Sequence, residues 1–191
     1  DPQAAVGAGG NLITLMIGLL GGLTIGVSVL VARYYGADDE KGMHRLTTAA
    51  LMLAAFLSVL FSLLGVVLAP TYLRLVHTPD HLLPMASAYL RVYCLSLPAM
   101  VLYNLGLGML RGIGDSFRPM LFQIAGGLLN VLFDIVFLIF LRMEAVGAAI
   151  GTLLAQSLVA LFVLCYLLAP RDRFVVKRYS WPTISFELRQ I

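Results

Sequence analysis

Five stretches of this chain run for bilayer length with at most one charge each, and no other feature constrains the fold as much. They cover Asn11–Ala32, Leu46–Ala69, Val92–Leu110, Met120–Leu141 and Val146–Ala169. A helix rising 1.5 Å per residue crosses the hydrocarbon core in about 20 residues. Lipid offers the backbone no hydrogen-bonding partner, and each run is too long for a strand, so each is predicted to be a helix. The fold class expected is an all-α membrane protein, a polytopic transmembrane helix bundle with five spans. Residues with turn chemistry fall between the runs: Gly36-Ala37-Asp38-Asp39, Pro70, Thr78-Pro79-Asp80, Gly112-Ile113-Gly114-Asp115 and Pro170. A break is predicted at each.

Composition agrees. The 191 residues are 60% hydrophobic and 12% charged, where soluble domains carry about 25% charge. The net charge of +3 does not point to nucleic acid, because the cations sit in short loops between apolar runs. The expected partner is the lipid bilayer. Ten cations (Arg33, Lys41, Arg45, Arg111, Arg118, Arg171, Arg173, Lys177, Arg178, Arg189) fall on one side of the spans and three (Arg74, Arg91, Arg142) on the other. The positive-inside rule then makes the first side cytoplasmic, in a multi-pass protein of the cell membrane. This leaves the amino-terminal end outside, where nothing in the sequence would drive its export. At least one earlier helix is expected upstream, giving six spans, a natural unit for a repeat.

Residues 1–170 thus read as the five-helix bundle and 171–191 as a cytoplasmic linker. The linker opens on the basic run Arg171–Arg178, and Ser180-Trp181-Pro182 with Ile184, Phe186, Leu188 and Ile191 suggests a short interfacial amphipathic segment.

One ionisable residue stands inside a span: Asp134. A carboxylate there is costly by at least about 2.5–3.5 kcal/mol on insertion scales, so it is expected to face a cavity or partner. Asn130, Gly127 and Gln123 continue the same helical face at spacings of four, three and four. The loop to the next span, Arg142-Met143-Glu144-Ala145, is very short. Counting inward from it puts Asp134 level with Thr152, and Asn130 level with Gln156. Such a carboxylate, hydroxyl and amide set suits a hard monovalent cation (sodium) or a proton. The simpler alternative is a helix–helix hydrogen-bond clamp. Pro98, with Ser96, Tyr103, Asn104 and Gly106 around it, predicts a kink that shapes a cavity or is merely braced by neighbours. Candidate cavity-lining residues are therefore Gln156, Pro98, Asn104 and Gln123.

Other features carry less. Gly18, Gly22 and Gly26 on the first span, and Gly147, Gly151 and Ala155 on the fifth, form small-residue rows that let helices approach. His77 and His81 have metal-ligand spacing, but Pro79 breaks the helix that would align them, so no metal beyond sodium is expected. Cys94 and Cys165 lie near opposite faces of the membrane, too far apart to bridge. The run Asp38-Asp39-Glu40-Lys41 reads as a solvated loop. No phosphate loop, nucleophile–base pair or zinc motif appears, so no cofactor and no catalytic residues are expected.

Val31-Ala32-Arg33-Tyr34-Tyr35-Gly36-Ala37-Asp38-Asp39 resembles the first cytoplasmic loop of the multidrug and toxic compound extrusion (MATE) transporters, and Leu110-Arg111-Gly112-Ile113-Gly114-Asp115-Ser116-Phe117-Arg118-Pro119-Met120 resembles the second. Asn130 with Asp134, and Val146-Gly147-Ala148-Ala149-Ile150-Gly151-Thr152, complete the pattern, with Arg33 a departure where glutamine is common. The resemblance implies the second to sixth helices of the amino-terminal half of a twelve-helix, two-bundle transporter. It further implies a cation site at Asn130, Asp134 and Thr152, completed by an acid from the upstream helix, and export of cationic or lipophilic small molecules in exchange for sodium ions or protons. The missing helix and the carboxy-terminal bundle would be partners within the same protein. A lipid-linked saccharide flippase of the same architecture would need a basic cavity, and no span contains Lys or Arg. An intramembrane enzyme would need two catalytic groups at depth, where the spans offer one acid. A non-catalytic assembly subunit would leave Asp134 without a cation-dependent role.

Overall fold

The computed structural model describes residues 2–167 and 186–191. Five long helices follow one another: α1 (Pro2–Gly36), α2 (Glu40–Leu75), α3 (Leu83–Gly112), α4 (Phe117–Asp134) and α5 (Glu144–Leu167). A π-helical stretch, Ile135–Phe140, extends α4. All five are long and apolar enough to cross a membrane. The protein is an all-helical, multi-pass bundle, as the apolar runs require. Residues 168–185, which hold the break expected at Pro170 and most of the linker, lie outside the described residues.

The breaks are made by specific cap chemistry. α1, α2 and α3 each end with one residue in the left-handed region: Asp38 (φ 52°), His77 (φ 56°) and Gly114 (φ 85°). In each case the next N–H reaches back five residues: Asp39 to Tyr34, Thr78 to Leu73 and Asp115 to Leu110, at 3.0–3.1 Å. This is the Schellman closure, which satisfies carbonyls the helix leaves open. Asp115 then caps the next helix, accepting from the N–H groups of Phe117 and Arg118 at 3.1 Å each. Asp39 caps α2 through Gly42 N–H at 2.9 Å. The stretch expected as a solvated loop is thus a cap and first helical turn. His77 spends its backbone on a helix end, and among the described residues no three His, Cys, Asp or Glu gather as for a metal.

Pro70 does not break its helix. α2 runs through it to Leu75, since proline removes one ladder bond and neighbouring helices brace the rest. Pro98 likewise sits within an unbroken α3.

α3 is the hub, packed on α1, α2 and α5, while α4 leans on α5. Half of α3's most apolar stretch is buried and none of α4's. Close approach depends on small residues, though not all those expected. Gly18 and Gly22 face open space, and α1 instead meets α3 at Gly108 and Gly112. A methyl on Gly108 would stand 3.2 Å from the Thr24 carbonyl oxygen, and one on Gly112 2.7 Å from that of Ser28. On α5 the expected row does pack: Gly147 faces Phe137 and Gly151 faces Phe133 and Asp134. With no hydrophobic driving force between helices in lipid, such backbone-to-backbone fits supply the association energy.

Candidate functional site

The α4–α5 hairpin carries the site. Its short turn passes through Arg142 (φ 49°), and the pairing expected from counting holds along the backbone: Asp134 meets Gly151, and Gly126 meets Val159. Asn130 Nδ2 donates to Thr152 Oγ1 at 3.2 Å, and the Thr152 hydroxyl donates to the Ala148 carbonyl at 3.0 Å. Thr152 therefore partners Asn130, not Asp134. With its amide nitrogen directed at Thr152, Asn130 keeps its carbonyl oxygen outside that bond.

Beside this pair is a cavity of about 180 Å³ lined by Tyr103, Gly126, Asn130, Thr152, Ala155, Gln156 and Val159. Gln156 Oε1 is buried there with no hydrogen-bond donor. One helical turn from Asn130, Asp134 Oδ1 is also buried and without a donor, and Tyr89 of α3 stands within electrostatic reach. Buried acceptors without donors are uncommon and costly. The two lie on facing helices on either side of the Asn130–Thr152 bond, and only Gln156 lines the cavity; Asp134 does not.

The candidate lining residues separate. Gln156 lines the Asn130–Thr152 cavity. Asn104 lines another, about 300 Å³, between α1 and α3 with Ile17, Leu20, Gly21, Thr24, Ile25, Met100 and Val101, and its amide donates to Met100 O at 2.9 Å. Pro98 is half-buried and lines neither. Gln123 is exposed and lines neither. Near it Phe122 meets Tyr166 edge-on, and the Arg118 guanidinium lies 5.1 Å from the same ring.

Two contributors were not expected at this hairpin, although Tyr103 was expected near a cavity shaped by Pro98. Tyr103 arrives from α3, and no spacing links it to the hairpin. Gly151 looks like packing, yet a methyl there would stand 2.7 Å from Asp134 Oδ1. Its place opposite an intramembrane acid was the available signal.

Bilayer-length helices around an acceptor-lined cavity and a buried acid define a multi-pass helical membrane protein. The MatE family model matches residues 2–136. A probable multidrug resistance protein of Bacillus subtilis, YpnP, is 29% identical over 164 residues, covering 86% of this chain and 37% of that protein. Solved outward-facing and inward-facing conformations of a multidrug resistance MATE family transporter of the MOP superfamily are each 30% identical, with TM-scores of 0.88. They cover 97% and 98% of this chain and 42% and 44% of theirs. The chain belongs to the MATE family of multidrug efflux transporters. It spans less than half the length of these relatives.

Proposed function

We propose that this chain is the cation-coupling part of a secondary transporter that exports cationic or lipophilic compounds in exchange for sodium ions or protons. The observation that carries the reading is the pair of donorless buried oxygens, Asp134 Oδ1 and Gln156 Oε1, flanking the Asn130–Thr152 bond. A sodium ion or a proton supplies what these acceptors lack. Either one neutralises Asp134, and a neutral and a charged pocket favour different conformations of the surrounding bundles. The equal match to outward- and inward-facing structures supports a bundle that moves as one body between them. Asp134, Asn130 and Thr152 are the proposed cation-binding residues, with Gln156 and Asn104 facing the cavities.

The cation-rich rim, with Arg33, Lys41, Arg45, Arg111 and Arg118, is proposed to face the cytoplasm. The upstream helix and second bundle complete the transporter. The test is transport by the full-length protein in liposomes with sodium and proton gradients imposed separately. Export driven by one gradient and lost in Asp134→Asn is expected. Export independent of both gradients would refute the coupling, and movement of lipid-linked saccharide instead of a cationic drug would favour a flippase.

A further inference from the structure

Among the described residues, the most deeply buried carboxylate lies outside this site. Glu187 is 0% exposed, in the short segment Phe186–Ile191. Its Oε2 accepts from the Tyr34 hydroxyl at 2.8 Å. Its Oε1 stands 3.5 Å from Arg45 Nε, close enough for an ion pair though neither atom completes a hydrogen bond. Tyr34 ends α1 and Arg45 lies in the second turn of α2, so one carboxylate ties the segment to both helices. Gly42 leaves room for the arrangement: a methyl there would stand 2.5 Å from the Tyr34 ring, which packs closely against the start of α2.

The end of the segment turns in toward the helices. Ile191 packs against the buried core, and its carbonyl oxygen is 3.5 Å from where a Cβ on Gly26 would be. Gly26 is eight residues before Tyr34, about 12 Å deeper along α1. Phe186–Ile191 thus enters the bundle from the cation-rich rim beside α1. Thr24 and Ile25, the neighbours of Gly26, line one end of the 300 Å³ cavity between α1 and α3.

We infer that Phe186–Ile191 is a strap closing the cation-rich end of the α1–α3 cavity, with Glu187 as its bolt and Tyr34 and Arg45 as its keeper. A buried carboxylate parted from its partners is strongly disfavoured unless it takes up a proton or reaches water. The strap is accordingly seated or withdrawn, and withdrawal opens the cavity toward the cation-rich side. Alternation between the two during transport rests on the exporter reading above, whereas the closure itself does not.

The experiment uses a cysteine-free version of the full-length protein with Gly21→Cys, a cavity-lining position where an added side chain meets nothing within 4 Å. A membrane-impermeant maleimide is applied from the cation-rich side only. Labelling should be slow with Glu187 intact and about tenfold faster or more in Glu187→Gln and in Arg45→Gln, since each strands the other partner of a buried pair. Tyr34→Phe should give a smaller increase. The double exchange Arg45→Glu with Glu187→Arg should restore slow labelling, which a merely misfolded variant would not do. Equal labelling with and without the carboxylate overturns the strap, whatever the transport assay shows. Labelling that responds to Glu187→Gln but not to added drug or cation leaves the strap standing and counts against the transport reading.

Discussion

Gly151 and Asp134 face each other across the α4–α5 hairpin so closely that a methyl group on Gly151 would stand 2.7 Å from the carboxylate oxygen Oδ1. The backbone N–H of Asp134 is similarly near, at 3.4 Å from that methyl position. A residue that reads in sequence as a packing glycine therefore sets where the acid sits.

Gly151→Ala should displace the carboxylate or spread the hairpin. We expect the apparent cation affinity of the full-length transporter to fall about tenfold, with a stability loss of about 1–3 kcal/mol from overpacking. Gly127→Ala is the control, because an added methyl there meets nothing within 4 Å. Cation titrations of transport and thermal unfolding in detergent check both. Equal effects from the two glycines would remove Gly151 from the site.

Asp134→Asn keeps the size of the side chain and removes its charge. It should fold and reach the membrane but lose gradient-driven export in the liposome assay. Asp38→Asn should be nearly silent, because Asp38 ends α1 at φ 52° and asparagine occupies that region with ease. Unchanged sodium and pH dependence in Asp134→Asn would reduce the pocket to a packing clamp.

Thr152→Ala removes the hydroxyl that receives the Asn130 amide at 3.2 Å. Interhelical bonds of this kind are worth about 0.6 kcal/mol in membranes, so apparent cation affinity should weaken roughly threefold. Transport itself should survive. Complete loss would make Thr152 more than a holder of Asn130.

Single cysteines at Lys41 and Asp80, both exposed and at opposite rims, report orientation. In intact cells an impermeant thiol reagent should label Asp80→Cys and spare Lys41→Cys. The reverse pattern would invert the bundle.

Bilayer-length apolar runs are legible before any packing is known, because lipid forces a helix on each of them. The register of α4 against α5 was legible for a similar reason: a very short loop leaves the two helices little freedom to slide. What counting along a helix cannot give is which side chain claims which partner. Thr152 stands near Asp134 in depth yet bonds Asn130, because its hydroxyl also donates to Ala148 and so is fixed on its own helix. Gln123 shares a face with Asn130, but Gly126 is the last α4 residue on that side to line the cavity, and Gln123 is exposed beyond it. Glu187 left no signal, since one acid in a mixed polar and apolar tail looks solvated until Tyr34 and Arg45 are brought to it by the fold.

Directly after Asp134, the chain winds through Ile135–Phe140 with the wider π turn, and Leu141 N–H reaches back five residues to Val136 at 3.0 Å. A π turn is an α turn that has swallowed an extra residue. In terms of descent, such a turn is how a span can absorb an inserted residue without making a loop. Removing one residue from 135–140 would restore an ordinary helix and swing the outer turn by about 100°, leaving everything from Met120 to Asp134 in place. Removing one residue from 120–134 would instead turn Asp134 away from Gly151. Single-residue gaps among relatives are accordingly expected just past the acid and not before it.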